Sequence, residues 1–243
     1  MKKNPNFSCR SNAAFTLVEL LVVIVIIGAL AALAFTVGPK MMRRGDAAKS
    51  IQNMRQIGAL LGTYAADNSF KLPAPRGDVS DGKGGYTQLH WHEALMYLVY
   101  PDLAEKDLHD DKWWENNKPF MRNPLCNAKT KPNVFAWWNP GYAMNRMIVE
   151  NLGKSSGDWN PGKNGPQTYA IPLNMVPDGS RTPIIAPRGD WHFTYDTSEV
   201  KEVGLQAFLV DKNMPILFVD GHVETMALKE YTKRELYKLP IKP

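Results

Sequence analysis

From Leu20 to Gly38 the chain carries no charged residue. As a helix rising 1.5 Å per residue, those nineteen positions reach about 28 Å, close to the hydrocarbon thickness of a bilayer. Such a segment must find lipid or other apolar helices to cover it, and this fixes the first element of any fold the chain adopts. One charge stands at its edge, Glu19 in "AFTLVELLVV". A carboxylate in an apolar span costs roughly a few kcal/mol and as a rule marks function. The plain alternative is an interfacial glutamate that extends to the headgroups.

Basic residues lie on both sides of the run: Lys2, Lys3 and Arg10 before it, Lys40, Arg43 and Arg44 after it. Charge counting alone therefore does not settle orientation while the leader remains. A secretory signal peptide would have a shorter apolar region followed by a small-residue cleavage site. A lipoprotein signal would need an apolar stretch before its cysteine, and "KKNPNFSC" has none. A single membrane span fits better than either.

A polar, basic leader followed by "AFTLVELLVVIVIIGALAA" resembles the type IV prepilin family, including the pseudopilins of type II secretion. The resemblance implies cleavage by a prepilin peptidase between Ala14 and Phe15, with methylation of the new Phe15 amine. The family usually has Gly before the cut, where this chain has Ala14. It also implies that Glu19, one helical turn from that amine, pairs with the N-terminal ammonium of a neighbouring subunit during assembly. Other pilin-like subunits and inner-membrane lipid are the implied partners, with a single-pass anchor in the cytoplasmic membrane and the head in the periplasm or outside the cell.

Beyond the apolar run, Ala47, Ile51, Met54, Ile57, Gly58, Leu61, Tyr64 and Ala65 recur at the spacing of one helix face. The pattern predicts a helix from Phe15 to about Asp67, with a kink at Gly38-Pro39 because proline removes a backbone bond and crowds the preceding turn. The expected fold is α+β and pilin-like: a cleaved leader over 1–14, a transmembrane assembly helix over 15–38, an amphipathic stalk over 39–68, and a head over 69–243 built on a small antiparallel sheet with long loops.

"NMRQIGALLGTYAADNSFKLP", "RNPLCNAKT", "GYAMN" and "FVDGHVE" together resemble a prepilin-like group found in certain bacterial phyla. That group is often named for a histidine ten residues before Asp-Gly. Here the position is Val210, so no role of that histidine carries over.

In the head, the Gly, Pro and Asp of 70–89 read as an exposed loop. "HEALMYLVY" reads as a short amphipathic helix, and the acidic "PDLAEKDLHDDKWWENN" as a loop. "NLGKSSGDWNPGKNGPQ" reads as a second long excursion. "AFLV", "MPILFV" and "HVETMAL" read as a three-stranded antiparallel meander, with a type I′ turn at Asp220-Gly221. Pro215 must then sit near a strand's start or on an unpaired edge.

The formal charge is +5. Without residues 1–14, Lys and Arg fall from 29 to 26 against 24 Asp and Glu, leaving +2, too slight for a nucleic-acid footprint. Two cysteines, Cys9 and Cys126, exclude a disulfide framework. Cys126 reads as a small buried hydrophobe or, failing that, a reactive thiol.

No nucleophile elbow, P-loop or pair of catalytic carboxylates is legible, so no enzyme is expected. Asp220 with His222, and His90, His92 and Glu93 in "HWHE", are the metal-capable residues, but neither set has a zinc or EF-hand spacing. No metal is expected; were one bound, the resemblance to type II secretion pseudopilins points to calcium. Trp113, Trp114, Trp137 and Trp138 are either core anchors or aromatics that grip a sugar or protein. Two functions therefore stand: a filament-forming prepilin-like subunit, and an extracytoplasmic binding module on a prepilin anchor.

Overall fold

A computed structural model of the protein describes residues 16–80, 86–117, 120–125, 140–145, 148, 171–176, 178–187, 192–193 and 208–233. The chain divides into two compact units, Met1–Met42 and Arg43–Pro243. Helix α1 (Leu17–Asp67) begins in the first and ends in the second, and its assignment is unbroken through Pro39. The cleavage site Ala14/Phe15, Cys9, Cys126, Trp137, Trp138 and the excursion over 151–167 lie outside the described residues.

After Thr16, the described part of the first unit is helix. Its Leu, Val and Ile side chains are exposed, as is Phe35 at 81%. By length and composition it is apolar enough to cross a membrane.

In the second unit, α1 buries Ser50, Asn53, Met54, Ile57, Leu61 and Ala65. The last four follow the predicted apolar stripe; Ser50 and Asn53 do not. They are satisfied by long-range partners: Ser50 Oγ lies 3.2 Å from the Tyr142 hydroxyl, and Asn53 Nδ2 donates to the Arg122 carbonyl at 3.3 Å. The helix stops where Ser69 and Phe70 take left-handed φ values of 56° and 58°. There the Phe70 N–H donates to the Ala65 carbonyl at 2.8 Å, in the manner of a Schellman cap.

The expected loop over 70–89 is instead largely strand. β1 (Lys71–Leu72) pairs with β5 (Ile171–Pro172), and β2 (Arg76–Ser80) pairs antiparallel with β3 (Tyr86–His90). Gly77 and Asp78, which suggested a loop, are paired within β2 to Leu89 and Gln88, and Leu72 and Ala74 are buried. α2 (Trp91–Val99) is the predicted amphipathic helix. The acidic segment after it, expected as a loop, forms α3 (Glu105–Leu108) and α4 (Asp111–Asn117). Leu108 and Trp114 draw it onto the core.

The main sheet is five-stranded in the order β7-β4-β6-β8-β9, comprising β4 (Tyr142–Asn145), β6 (Pro183–Pro187), β7 (His192–Phe193), β8 (Asn213–Phe218) and β9 (Val223–Ala227). All neighbours are antiparallel except β4 and β7, which run parallel. Alternation sorts the two faces. Tyr142, Met144 and Leu217 join α1 and α2 in the larger core. Ala143, Met214, Ile216 and Phe218 turn to the other face, closed by Tyr231 of α5 (Leu228–Lys233). A register shift in β6 between Pro183 and Ile185 lets adjacent Ile184 and Ile185 both enter the larger core.

The C-terminal meander is corrected in two respects. Only β8 and β9 form a hairpin; β8's other neighbour is β6. Phe208–Val210 does not extend as a strand but folds back, Val210 and Asn213 exchanging N–H···O bonds of 2.9 and 3.0 Å across Asp211-Lys212. Both of those residues have positive φ, 50° and 67°, the type I′ pattern expected one turn later. At Asp220-Gly221 only Gly221 has positive φ, 91°. Gly221 N–H donates to Phe218 O and Phe218 N–H to His222 O, a three-residue loop closed by a glycine bulge. Pro215 is the third residue of β8. Because Phe218 N–H points to β9, the prolyl nitrogen points to β6, whose pairing with β8 covers Leu217 and Phe218. The missing donor costs no ladder bond there.

Candidate functional site

At the start of α1, Glu19 is already engaged. Its Oε2 accepts from the Thr16 N–H at 2.9 Å and from Thr16 Oγ1 at 2.8 Å, while Thr16 Oγ1 accepts from the Glu19 N–H at 3.3 Å. This is a reciprocal capping box, Thr16 at the cap and Glu19 three residues on. The Thr-x-x-Glu spacing ahead of an apolar run is its sequence signal, and it was there to be read. A carboxylate at a helix N-terminus also meets the positive end of the helix dipole. Glu19 thus sits beside the first backbone donors of α1.

Arg43 and Arg44, which follow the apolar run, are tied to the head. Arg44 meets the Asp211 carboxylate at 3.0 Å, both side chains largely exposed, and Arg43 donates to the Leu209 carbonyl at 3.1 Å. They hold the turn next to Val210. The Val210 backbone closes the type I′ turn.

Of the four tryptophans considered as ligand grips, Trp113 and Trp114 are described. Trp114 is 6% exposed, with its indole N–H donating to the Leu108 carbonyl at 2.8 Å. It is a core anchor with no face left for a ligand. Trp113 packs partly buried against the same core and meets Tyr100 edge-on at 6.1 Å.

Asp220 and His222 are bonded to each other. Asp220 Oδ1 accepts from the His222 N–H at 3.1 Å and from its Nδ1 at 2.6 Å, and the imidazole stacks on Phe218 with ring centroids 4.3 Å apart. The pair stabilises the β8–β9 turn.

The "HWHE" stretch sits at the junction of β3 and α2, and it is buried: His90 5% exposed, His92 and Glu93 0%. Glu93 Oε2 accepts from the His90 backbone N–H at 2.5 Å and from His90 Nδ1 at 2.8 Å, and Oε1 accepts from His109 Nε2 at 2.8 Å. Burial pushes the Glu93 carboxyl's pKa up. The His90 side-chain hydrogen bond, the nearby His92 and the His90 backbone together outweigh it, leaving the group below its ordinary value. His109, sixteen residues on, was absent from the sequence reading; no local spacing signals it.

The quoted motifs have structural work of their own. Asn123 of "RNPLC" receives the chain at "PGY": its N–H donates to the Pro140 carbonyl at 2.8 Å and its Nδ2 to the Gly141 carbonyl at 3.0 Å. Asn145 of "GYAMN" donates to the Pro183 carbonyl at 2.7 Å. Both are buried polar groups paired to backbone.

No curated protein and no solved structure matches the chain. Residues 9–35 match the family described as the prokaryotic N-terminal methylation motif, so the chain carries the type IV prepilin-like signature at the head of an α+β, pilin-like fold.

Proposed function

We propose that this protein is a non-catalytic structural subunit, cut by a prepilin peptidase between Ala14 and Phe15, methylated on Phe15, and assembled through α1 into a type II secretion pseudopilus or type IV pilus-like fibre. The observation that carries this reading is the methylation motif over residues 9–35, running into an exposed apolar helix with Glu19 in its first turn. Before assembly the apolar half of α1 is anchored in the cytoplasmic membrane, with the head on the far side. In the fibre it packs among the same segments of other pilin-like subunits, which replace lipid around it.

Glu19 has two separable duties in this reading: capping its own helix and pairing with the ammonium of a neighbour. Glu19→Gln tells them apart. The glutamine amide oxygen can still accept from the Thr16 N–H, but the charge is gone. If pairing is the duty, Glu19→Gln chains are cleaved yet excluded from fibres, as are Glu19→Val chains. If Glu19→Gln chains enter fibres at the wild-type level, seen by electron microscopy and shearing, the charge-pairing role is wrong.

A further inference from the structure

The chain has five histidines, and three of them converge on one buried carboxylate. His90 and His92 come from the β3–α2 junction, His109 from the turn after α3, and Glu93 stands among them. Ligand atoms of His90, His92 and Glu93 all lie within 4.8 Å of one another, and all three residues are buried. His90 Nδ1 and His109 Nε2 are each 2.8 Å from a Glu93 oxygen. In a tetrahedral site with bonds near 2.0–2.2 Å, neighbouring donors stand about 3.3–3.6 Å apart, so each of these imidazole–carboxylate pairs needs to open by roughly half an ångström, and His109, which meets the other carboxylate oxygen and stands outside the His90–His92–Glu93 group, needs a side-chain shift to join the ion.

From this arrangement we infer that His90, His92, Glu93 and His109 form a structural site for a divalent transition-metal ion, zinc by the chemistry of its donors. Three imidazole nitrogens and one carboxylate oxygen suit zinc, whereas calcium takes oxygen ligands only. Four protein donors fill a tetrahedral shell and leave no open position, the mark of a structural rather than a catalytic site. Zinc would enter by taking the lone pairs of His90 Nδ1 and His109 Nε2, each neutral imidazole then carrying its proton on its other ring nitrogen. The surroundings are those of an enclosed site. Trp91 and Trp114 pack edge-on to the His92 ring at 5.6 and 5.9 Å, and the His109 side chain, 28% exposed, leaves a way in from solvent. The bound ion would add a link between the 105–117 segment and the start of α2, beside the packing of Trp114 on His92 and the bond from His109 to Glu93.

The full-length chain, purified in detergent without a histidine tag and stripped with a chelator, is titrated with zinc chloride and then with cobalt chloride. The expected result is one zinc per chain by elemental mass spectrometry, altered tryptophan fluorescence on binding, and the visible spectrum of four-coordinate cobalt. His109→Ala, at a partly exposed position, weakens zinc binding at least ~10-fold with its circular dichroism spectrum kept, and His109→Cys restores it. His222→Ala leaves it unchanged. Substoichiometric zinc, a six-coordinate cobalt spectrum, or equal affinity in wild type and His109→Ala overturns the site and leaves the cluster as a hydrogen-bonded buried carboxylate. Fibre formation enters none of these readouts, so failure here is distinct from failure of the assembly reading.

Discussion

Thr16 and Glu19 cap the apolar helix reciprocally, Glu19 Oε2 accepting from the Thr16 N–H at 2.9 Å while Thr16 Oγ1 accepts from the Glu19 N–H at 3.3 Å. The carboxylate assigned to a neighbour's ammonium is therefore held in its own first turn before any neighbour arrives. Thr16→Ala removes the cap but keeps the charge. Helix capping is worth about 1 kcal/mol, so this chain loses some helicity at its start, yet it is cleaved and enters fibres. Fibre yield of Thr16→Ala beside Glu19→Gln checks the ranking; a Thr16→Ala defect as deep as that of Glu19→Gln would reduce Glu19 to a capping residue.

At Gly58, α1 packs against the β8–β9 turn. A Cβ placed there would stand 3.0 Å from Leu217 Cδ1 and 3.4 Å from the Gly221 carbonyl oxygen. Leu217 can shift by a rotamer, but the Gly221 backbone cannot. Gly58→Val should therefore cost about 1–3 kcal/mol through overpacking, whereas Gly62→Val, with no atom within 4 Å, should change stability far less. Chemical denaturation of the two variants tests the contrast.

Glu93 makes the head sensitive to acid. Its folded pKa lies below the ordinary 4.5, so the carboxylate contributes stability that is present above pH 4.5 and lost as pH falls through the folded value. Glu93→Gln places an amide N–H₂ against one of the imidazole donors and should cost about 1–3 kcal/mol at neutral pH. Denaturation of both chains in metal-free buffer should show the gap narrowing below pH 4.5.

Lys212 sits at φ 67° in the turn after Val210, a conformation that costs a side-chain-bearing residue about 1–2 kcal/mol. Lys212→Gly turns Asp211-Lys212 into an Asp-Gly type I′ pair. Allowing for the extra entropy of glycine in the unfolded chain, it should stabilise by about 0.5–1 kcal/mol, read as a raised Tm. Lys212→Ala, which keeps the Cβ, should not.

Two helices were legible from pattern alone. Composition delimits the apolar half of α1, and the 3.6-residue stripe of Met54, Ile57, Leu61 and Ala65 gives its packed half; α2 follows from the same period. Features set by distant partners were not legible. Ser50 and Asn53 look like solvent-face residues until Tyr142 and Arg122 fold over them. The pairing of β8 with β6 joins segments some thirty residues apart, and no local signal fixes it. Turn chemistry misled at Asp220-Gly221, where the Asp-Gly pair is sound but a loop of three residues rather than two connects the strands. His109 reaches Glu93 only because α3 and α4 fold back on Leu108 and Trp114. Glu19 stands out in the sequence as a charge at the edge of an apolar run, and its capping role is carried by the Thr-x-x-Glu spacing.

Mass spectrometry of the mature N-terminus, on protein extracted from membranes of cells that contain a prepilin peptidase, decides whether the chain is handled as its first 35 residues indicate. A chain beginning at Phe15 and carrying one methyl group on its amine is the predicted result. A chain that keeps residues 1–14, or one cut within or after the apolar run, would contradict it.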